Sequence, residues 1–444
     1  MAEAKQINDT VSDLPEGFKM TELGPLPEEW EVVRLGDYCY VGSGGSAPQG
    51  EKYFNGGKYP FVRVQHIDNE MDVIKNYDLV TDEAIKDYNL KLFKKGTIIF
   101  PKSGASIYLE KRAILPFDAY IVSHLCAVNS KHENLDQKYL FFFLKFKKLA
   151  DEKADGYPTL NLSEIKEVKI PLPPLSEQKA IAYVLQTVQR AKEAIEKVIQ
   201  ATQELKKSLM RHLFTYGPVP IDEVDKVQLK ETEIGLVPEH WEVVRLGEVS
   251  LKPQYGFTAS ATNQPIGPKF LRITDIQNGR INWNTVPYCK IDDTLLRKYQ
   301  LESGDLLFAR IGATTGKSVL INECPEAVFA SYLIRVRVNL NQLLPEFLFY
   351  FAQGNLYWSQ IDAAKGGRLK QGINIPVLLS LHIPLPPLHE QQTIAHILQT
   401  VDQKIQAEKA KKQALEILFQ SLLHHLTTGK LRLKDMVLSE AKEA

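Results

Sequence analysis

The segment Trp30-Glu-Val-Val-Arg-Leu-Gly36 occurs twice in this chain, because it returns letter for letter 211 residues later as Trp241 to Gly247. A second segment, Ile170-Pro-Leu-Pro-Pro-Leu175, returns 213 residues later as Ile383 to Leu388. Two repeated segments with nearly equal offsets indicate a tandem duplication. Each copy therefore has ends that the two copies share, which we call the frame, around a middle that differs. The chain thus contains two similar modules whose functions differ slightly.

The composition is that of a folded protein with two domain-sized modules. The chain has 444 residues, of which 44% are hydrophobic and 24% are charged, and its formal net charge is zero. A length of this size exceeds one ordinary domain. A stand-alone nucleic-acid binder often carries a strongly basic domain. Any affinity for DNA must therefore come from local patches or from partners.

Cysteine usage and hydropathy indicate where the protein works. The four cysteines form no CxxC pair, which favours a reducing compartment and argues against a zinc site. No apolar run is long enough to cross a bilayer, and the polar N-terminus lacks the apolar core of a signal peptide. We therefore expect a cytoplasmic protein with no membrane partner.

Each middle is predicted to be an α+β globule. Short β-branched and aromatic runs bounded by Gly, Pro and Lys predict strands. One helix per module is predicted, over Phe141 to Leu149 and over Phe347 to Ala352. The middles align throughout; for example, Ser123-His-Leu125 matches Ser331-Tyr-Leu333. The predicted strands are Thr97 to Phe100, Ile121 to Val128, Asp305 to Phe308 and Leu333 to Val338.

After each Pro-rich frame segment the pattern changes to heptads. The first set predicts a coiled-coil helix from Glu177 to Thr215, and the second copy runs from Glu390 toward Leu426, with Gly429 as its stop. The two rows that step by seven in the first helix are Ile181, Val188, Ile195, Thr202, Leu209 and Val184, Ala191, Val198, Leu205, His212.

A coiled-coil helix cannot bury its apolar row alone, and the obvious partner is its own duplicate. If a pseudo-twofold axis relates the copies, the two long helices run antiparallel and separate the two globules. The fold class predicted is therefore α+β, with two pseudo-twofold related domains separated by two long antiparallel coiled-coil helices. The predicted boundaries are 1–175 for the first domain, 176–216 for the first spacer helix, 217–388 for the second domain, 389–432 for the second spacer helix and 433–444 for a polar tail.

The sequence offers no convincing catalytic motif. The segment Gly312-Ala-Thr-Thr-Gly316-Lys-Ser318 imitates a phosphate-binding loop, but three residues separate its glycines where that loop needs four. The run Val319 to Ile321 that follows predicts a strand, whereas a phosphate-binding loop leads into a helix. No cofactor loop and no metal-ligand spacing of histidines occurs. The pattern favours a polar loop and a non-catalytic binding protein.

Basic residues recur in loops that also contain Gly, Ser and Thr. Lys and Arg neutralise phosphates, while polar side chains in neighbouring loops can read base edges. For any one of these residues a solvated surface is the plainer interpretation, but the loops taken as sets favour DNA. Trp30 and Trp241 lie in the frame, where core packing is expected rather than base stacking. The candidate DNA-binding residues are Ser43, Ser46, Arg63, Gln65, His66, Lys102, Ser103, Ser106, Lys111 and Arg112 in the first module, and Thr258, Arg272, Thr274, Arg310, Thr314, Thr315, Lys317, Lys365, Arg368 and Lys370 in the second.

The chain resembles the specificity subunits of type I restriction-modification enzymes. The resemblance rests on Leu26-Pro-Glu-Glu-Trp30 through Gly36, on its echo from Val237 to Gly247, and on two Pro-Leu-Pro-Pro-Leu-x-Glu-Gln blocks that each lead into a heptad helix. It covers nearly the whole chain. It implies that each middle is a target-recognition domain for one half of a split, asymmetric DNA site.

The resemblance also implies partners. The helices would hold the domains apart and dock two adenine-methylating modification subunits, and through them restriction subunits. S-adenosylmethionine, ATP and Mg would bind those partner subunits, with no cofactor in this chain. Base contacts do not carry over, because recognition domains diverge where specificity lies. A non-catalytic protein-protein adaptor would share the same organisation, and salt-dependent DNA binding separates the two alternatives.

Overall fold

A computed structural model describes residues 14–68, 71–150, 158–277, 279–365 and 372–434. The chain divides into two compact units, the first made of 1–197 with 410–444 and the second of 198–409. Both boundaries fall inside the long helices. Each long helix therefore contributes one half to each unit.

The first unit is a mixed α+β structure. A four-stranded sheet has the order β4-β11-β8-β9 and a second has the order β6-β5-β10-β7, in which β5 and β10 are parallel. Its strands are β1 (Phe18–Thr21), β2 (Gly24–Pro27), β3 (Glu31–Arg34), β4 (Cys39–Ser43), β5 (Tyr59–Val62), β6 (Asp78–Val80), β7 (Leu92–Phe93), β8 (Ile98–Pro101), β9 (Ala113–Ile114), β10 (Ala119–Ile121), β11 (Leu125–Ser130) and β12 (Lys169–Leu172). Its helices are α1 (Leu35–Tyr38), α2 (Asp82–Asp87), α3 (Gln137–Phe146), α4 (Leu162–Glu167) and the first part of α5 (Leu175–Tyr216).

The second unit repeats this plan, but its parallel pair of strands forms a two-stranded sheet. Its main sheet has the order β16-β23-β20-β21, and β17 pairs parallel with β22 as β5 does with β10. Its strands are β13 (Leu229–Thr232), β14 (Gly235–Pro238), β15 (Glu242–Arg245), β16 (Gln254–Tyr255), β17 (Lys269–Leu271), β18 (Ile276–Gln277), β19 (Arg280–Ile281), β20 (Leu306–Ala309), β21 (Ser318–Leu320), β22 (Ala327–Phe329), β23 (Leu333–Val336) and β24 (His382–Leu385). Its helices are α6 (Asp293–Tyr299), α7 (Pro345–Phe351), α8 (Asn355–Ala364), α9 (Ile375–Leu379) and the first part of α10 (Leu388–Thr427).

The repeated frame segments pair with each other inside each unit. Strand β3 pairs antiparallel with β12, with Val33 opposite Ile170, and β15 pairs in the same way with β24, with Val244 opposite Ile383. The two ends of each frame are therefore hydrogen-bonded to each other as a pair of antiparallel strands, which brings the start and the end of each module together. The divergent middle is inserted between the two paired strands.

The two frame tryptophans are fully buried, which confirms the expectation of core packing. Trp30 Nε1 donates a hydrogen bond to Glu177 Oε2 over 3.0 Å, and Trp241 Nε1 donates to Glu390 Oε2 over 2.8 Å. A buried indole N–H usually needs a partner. The glutamate of each Pro-Leu-Pro-Pro-Leu-x-Glu-Gln block supplies that partner from the first turn of a long helix.

The predicted long helices exist, but part of the second predicted apolar row is wrong. Ile181 and Ile195 of the first row are buried as expected, whereas Val198 and Leu205 of the second row are 42% and 53% exposed. The row that is buried instead lies one residue C-terminal to the second predicted row. A count of hydrophobic residues does not detect it, because it includes polar side chains. Its buried members are Gln178, Leu185, Lys192, Ile199 and Leu213.

The polar members of this row have partners. Gln178 donates to the carbonyl of Pro173 over 2.8 Å, and Lys192 is paired with Glu416. Glu196 accepts from Lys412 over 2.9 Å. Because the positions rise from 192 to 196 on α5 while they fall from 416 to 412 on α10, the two helix segments run antiparallel within the first unit.

Two further expectations are corrected. Each module contains several short helices besides α3 or α7, so one helix per module is wrong. The predicted strand from Ile121 to Val128 is two strands, β10 and β11, joined by a turn at Val122 to His124 that carries the chain from one sheet to the other. Among the described residues, no helix has the length and apolarity needed to span a membrane.

Candidate nucleic-acid interface

Four loops meet at one end of the β4-β11-β8 sheet, and we call them the first loop cluster. Backbone hydrogen bonds hold them together: Lys102 N donates to His124 O over 2.9 Å, Ser123 N to Gly45 O over 2.6 Å and Leu160 N to Lys102 O over 2.7 Å. Backbone bonds next to the sheet therefore fix the positions of the loops. The first loop cluster consists of 43–46, 102–106, 122–124 and 158–160.

The second unit has a matching second loop cluster. Arg310 N donates to Tyr332 O over 3.0 Å, Ser331 N to Phe257 O over 2.9 Å and Ile373 N to Arg310 O over 2.8 Å. These bonds repeat the connections of the first loop cluster position by position. The second loop cluster consists of 256–258, 310–316, 330–332 and 372–375.

A glycine makes the close approach of loops possible in both clusters. A Cβ atom on Gly44 would lie 2.0 Å from the carbonyl oxygen of Ile121, and one on Gly256 would lie 2.2 Å from that of Ala330. Contacts this short with backbone atoms are not tolerated without a shift of the chain. The two glycines are thus matched structural requirements of the two clusters.

Several predicted residues of the first module lie in its loop cluster. Ser46 is exposed, while Lys102, Ser103 and Ser106 are half-buried. The hydroxyl of Ser43 donates to the carbonyl of Ser123 over 2.9 Å, which gives it a structural partner. The cluster therefore presents a cation and hydroxyl groups on a rigid backbone.

His124 belongs to the same surface, although it was missing from the predicted set. It is exposed, and its Nδ1 lies 2.6 Å from Ser103 Oγ. Its counterpart Tyr332 is 55% exposed. The sequence did contain a signal for both residues, because Ser123-His-Leu125 and Ser331-Tyr-Leu333 differ only at the exposed position.

A second group of predicted residues surrounds the turn after β5. Arg63 is paired with Asp78 over 2.5 Å, and Lys111 Nζ donates to the carbonyl of Ile67 over 3.1 Å. Burial lowers the pKa of His66, although Asp78 opposes the shift. Gln65 is exposed. Because Asp78 compensates the charge of Arg63, this group offers less positive charge than the sequence suggested.

The predicted DNA contact at Arg112 is wrong. The residue is 4% exposed, its guanidinium is paired with Glu110, and its Nε donates to the carbonyl of Leu144 over 3.2 Å. Its guanidinium also lies 4.7 Å from the ring centroid of Phe100. The ion pair with Glu110 holds Arg112 inside the fold.

In the second module, Arg310 is the predicted residue most clearly placed in the loop cluster. Its guanidinium lies 4.7 Å from the ring centroid of Tyr255, and its Nε is buried without a hydrogen-bond partner in the described part of the chain. Thr258 is exposed and Thr314 half-buried in the same cluster. Thr315 is buried and its hydroxyl donates to the carbonyl of Gly312 over 2.8 Å, so the predicted DNA contact at Thr315 is wrong.

The remaining predicted residues lie elsewhere. Arg272 is paired with Asp275 over 2.8 Å, and Thr274 is exposed on the same turn. Lys317 is exposed and borders a cleft of about 990 Å³ between the globule and the long helices of the second unit. Lys365 lies 3.3 Å from a carboxylate oxygen of Asp362. Arg368 and Lys370 fall outside the described residues.

Within the described ranges, no group of three His, Cys, Asp or Glu residues could hold a metal ion. The chemistry available at the two clusters is hydrogen bonding and positive charge on matched backbones. Such an arrangement suits recognition of a polar, anionic surface.

Known proteins share this organisation. The family described as "Type I restriction modification DNA specificity domain" matches residues 27–207 and 238–417. The chain is 29% identical to the type I restriction enzyme MjaVIII specificity subunit of Methanocaldococcus jannaschii, over 95% of this chain and 97% of that protein. It is 23% identical to the EcoKI specificity subunit of Escherichia coli, over 86% of this chain and 83% of that protein.

Solved structures share the fold. The crystal structure of a type I restriction-modification S subunit from M. genitalium covers 92% of this chain and 97% of its own chain, with a TM-score of 0.57 at 16% identity. A chain from a structure on complex assembly and conformational transition of the type I system covers 91% of this chain and 99% of its own, with a TM-score of 0.54 at 19% identity. The two family matches, each spanning one frame, one middle and part of a long helix, show that the chain belongs to the type I restriction-modification DNA specificity family and is a specificity subunit with two DNA-recognition domains.

Proposed function

We propose that each unit reads one half of a bipartite, non-palindromic DNA site through its loop cluster. The observation that carries this proposal is the match between the two clusters: the backbone bonds at Lys102 and His124 recur at Arg310 and Tyr332, while the side chains differ. One scaffold with two sets of side chains suits two different half-sites. A palindromic site would call for identical sets.

The charges of the clusters fit contact with a duplex. Phosphate contacts position a protein on DNA and base contacts specify the sequence. Lys102 and Arg310 occupy matched positions and supply one cation in each cluster. Hydroxyl and imidazole groups beside them have the hydrogen-bonding capacity that base edges require.

We further propose that the long helices form an antiparallel coiled-coil spacer with pseudo-twofold symmetry. Support comes from the repeated frame, from the Glu196 to Lys412 pair in the first unit and from the pair of Lys206 with Asp402, 2.8 Å apart, in the second. The spacer would set the gap between the two half-sites.

The proposed partners are two adenine-methylating modification subunits and, through them, restriction subunits. Val198 and Leu205 on α5 support a docking surface, because both are large apolar side chains exposed on the described chain. S-adenosylmethionine, ATP and Mg would bind the partners. A cytoplasmic location follows from this role, since the DNA and the partner subunits meet there.

An exchange of the first middle tests the function. Residues 37–169 are replaced by the corresponding insert of another family member, and the complex with its modification subunits is used to methylate a genome whose modified sites are then sequenced. We expect one half-site to change while the other half-site and the gap persist, because the frame ladder is kept. A change in both halves, or a palindromic site in the unaltered protein, contradicts the proposal.

The same complex separates DNA reading from the adaptor alternative. Binding to a duplex that contains the site should weaken steeply with salt, because phosphate contacts release counterions. Affinity that is independent of salt and of DNA sequence would favour the adaptor.

A further inference from the structure

His124 and Tyr332 occupy the same position in the two loop clusters. Each is followed by a leucine that starts a central strand, Leu125 opposite Pro101 in one unit and Leu333 opposite Ala309 in the other. The carbonyl of each accepts a backbone hydrogen bond from the basic residue of the neighbouring loop, as described above. The sheets therefore fix where both side chains emerge.

These side chains contribute little to the cores around them. Leu125 and Leu333 are fully buried. Val122 and Ala330, which lie two residues before the exposed side chains, are also buried except for a small fraction of their surface. His124 and Tyr332 by contrast point away from the core and are exposed. An exposed aromatic side chain on a rigid strand end has a defined direction and is free to contact a ligand.

The two side chains present different hydrogen-bonding groups. Ser103 Oγ lies 2.6 Å from His124 Nδ1, so one ring nitrogen is engaged and only Nε2 remains for a ligand. Position 311 matches Ser103 and is an isoleucine, which offers Tyr332 no hydrogen bond. No partner of the Tyr332 hydroxyl is found in the described part of the chain.

We propose that His124 and Tyr332 contact base edges and determine the base read at one position of each half-site, with Ser103 as a positioning residue for His124. This inference rests on the proposed function. Imidazole and phenol groups offer hydrogen-bond donors and acceptors that match those of the major groove, whereas a phosphate contact favours the fixed charge of Lys or Arg. The adjacent Lys102 and Arg310 provide that charge.

The test uses the complex reconstituted with its modification subunits and a DNA library randomised across both half-sites. For His124→Ala we expect discrimination at one position of one half-site to fall about tenfold, since one good base contact accounts for a preference of that order. Tyr332→Phe should do the same at one position of the other half-site. Lys102→Ala is the matched control, because loss of a phosphate contact lowers affinity for all sequences alike.

A second set of variants tests the positioning role. Ser103→Ala should relax the same base position as His124→Ala but to a smaller degree, and Ser103→Thr should restore it because the hydroxyl is kept. Melting temperatures of all variants are compared, and His124→Gln replaces His124→Ala if the latter fails to fold. Uniform loss of affinity with unchanged base preferences overturns the inference while leaving the function intact; absence of a bipartite site in the unaltered complex overturns the function itself.

Discussion

Arg432 donates two hydrogen bonds to Glu177, from Nε to Oε1 over 2.8 Å and from Nη2 to Oε2 over 2.9 Å. The Glu177 side chain is 1% exposed and also accepts from Trp30. A segment that follows α10 thus binds the same buried carboxylate as the frame tryptophan. In the second unit the corresponding Glu390 accepts from Trp241 and from His240, at 2.8 and 2.7 Å.

Removal of this arginine should destabilise the first unit. Arg432→Ala leaves the buried carboxylate of Glu177 without its counter-ion, and loss of one partner of a buried pair costs about 3 kcal/mol. Urea denaturation measures the change in the free energy of unfolding. Lys434→Ala is the control, because its partner Glu29 is half exposed and exposed ion pairs contribute little to stability. Equal losses of unfolding free energy in the two variants would contradict the role of Arg432 as the counter-ion of the buried Glu177.

The same carboxylate should give the first unit an acid-sensitive stability. Burial alone would raise the pKa of Glu177, but hydrogen bonds from Arg432 and Trp30 outweigh it and lower the pKa below its ordinary value of 4.5. A carboxylate whose folded pKa is depressed contributes fully above its unfolded pKa and loses that contribution as pH falls through the folded value. Stability should therefore decline below pH 4.5 in the unaltered chain, and Glu177→Gln should flatten that decline. A decline of the same steepness in the variant would assign it to other groups.

Gly44 should be irreplaceable for recognition of the first half-site. In Gly44→Ala the new Cβ would lie 2.0 Å from a backbone carbonyl, so the loop must move, at a cost of about 1 to 3 kcal/mol. Gly42→Ala is the control, because its Cβ would meet Phe93 at 3.7 Å, an ordinary contact. Methylation of a target series should show weakened selection of the first half-site for Gly44→Ala and unchanged selection for Gly42→Ala. The reverse order would show that the first loop cluster does not read DNA.

The sequence predicted those features that depend on repeated local patterns. The buried frame tryptophans and the long helices follow from exact repeats and from heptads, which short-range pattern reading detects. Arg112 could not be placed, because its burial depends on a long-range contact with the carbonyl of Leu144 as well as on its neighbour Glu110. His124 was missed as a candidate because its importance depends on the turn that divides β10 from β11.

The buried row of α5 was missed for a related reason. A hydrophobicity count favours Val198 over Lys192, yet Lys192 is buried because Glu416 compensates its charge and the ring of Phe419 lies 4.8 Å from its Nζ. Tertiary partners therefore decide which face of the helix is buried. Val198 and Leu205 of the displaced apolar row are left exposed.

The exposed part of that row, Val198 and Leu205, should be needed for assembly and not for folding. Leu205→Glu places a charge on a side chain that is 53% exposed, so the isolated chain should unfold at nearly its normal denaturant concentration. Association with the modification subunits, measured by titration calorimetry, should weaken by tenfold or more, on the order of 1.4 kcal/mol, if the row is a docking surface. Lys207→Glu is a control on the neighbouring exposed surface. Similar binding by both variants would exclude the row.

The spacer proposal predicts a change in gap length. Four residues inserted after Lys197 in α5 and four after Lys409 in α10, at the boundary between the two compact units, add about 6 Å to both helices and about 40° of rotation. One base pair adds about 3.4 Å along the duplex. It also adds about 35° of twist, since 10 to 10.5 base pairs make one turn. The rotation added to the helices therefore matches the twist of one base pair closely. Local packing at the insertion absorbs the added helix length that exceeds the rise of one base pair.

We expect the optimum gap to increase by one base pair while both half-sites keep their sequence. The measurement is methylation of a series of targets that differ only in gap length. Two residues inserted at the same places should abolish methylation, because they turn the following helix by about 200° and direct its loop cluster away from the duplex. An unchanged optimum with activity retained in the four-residue variant would show that the helices dock partners without setting the spacing.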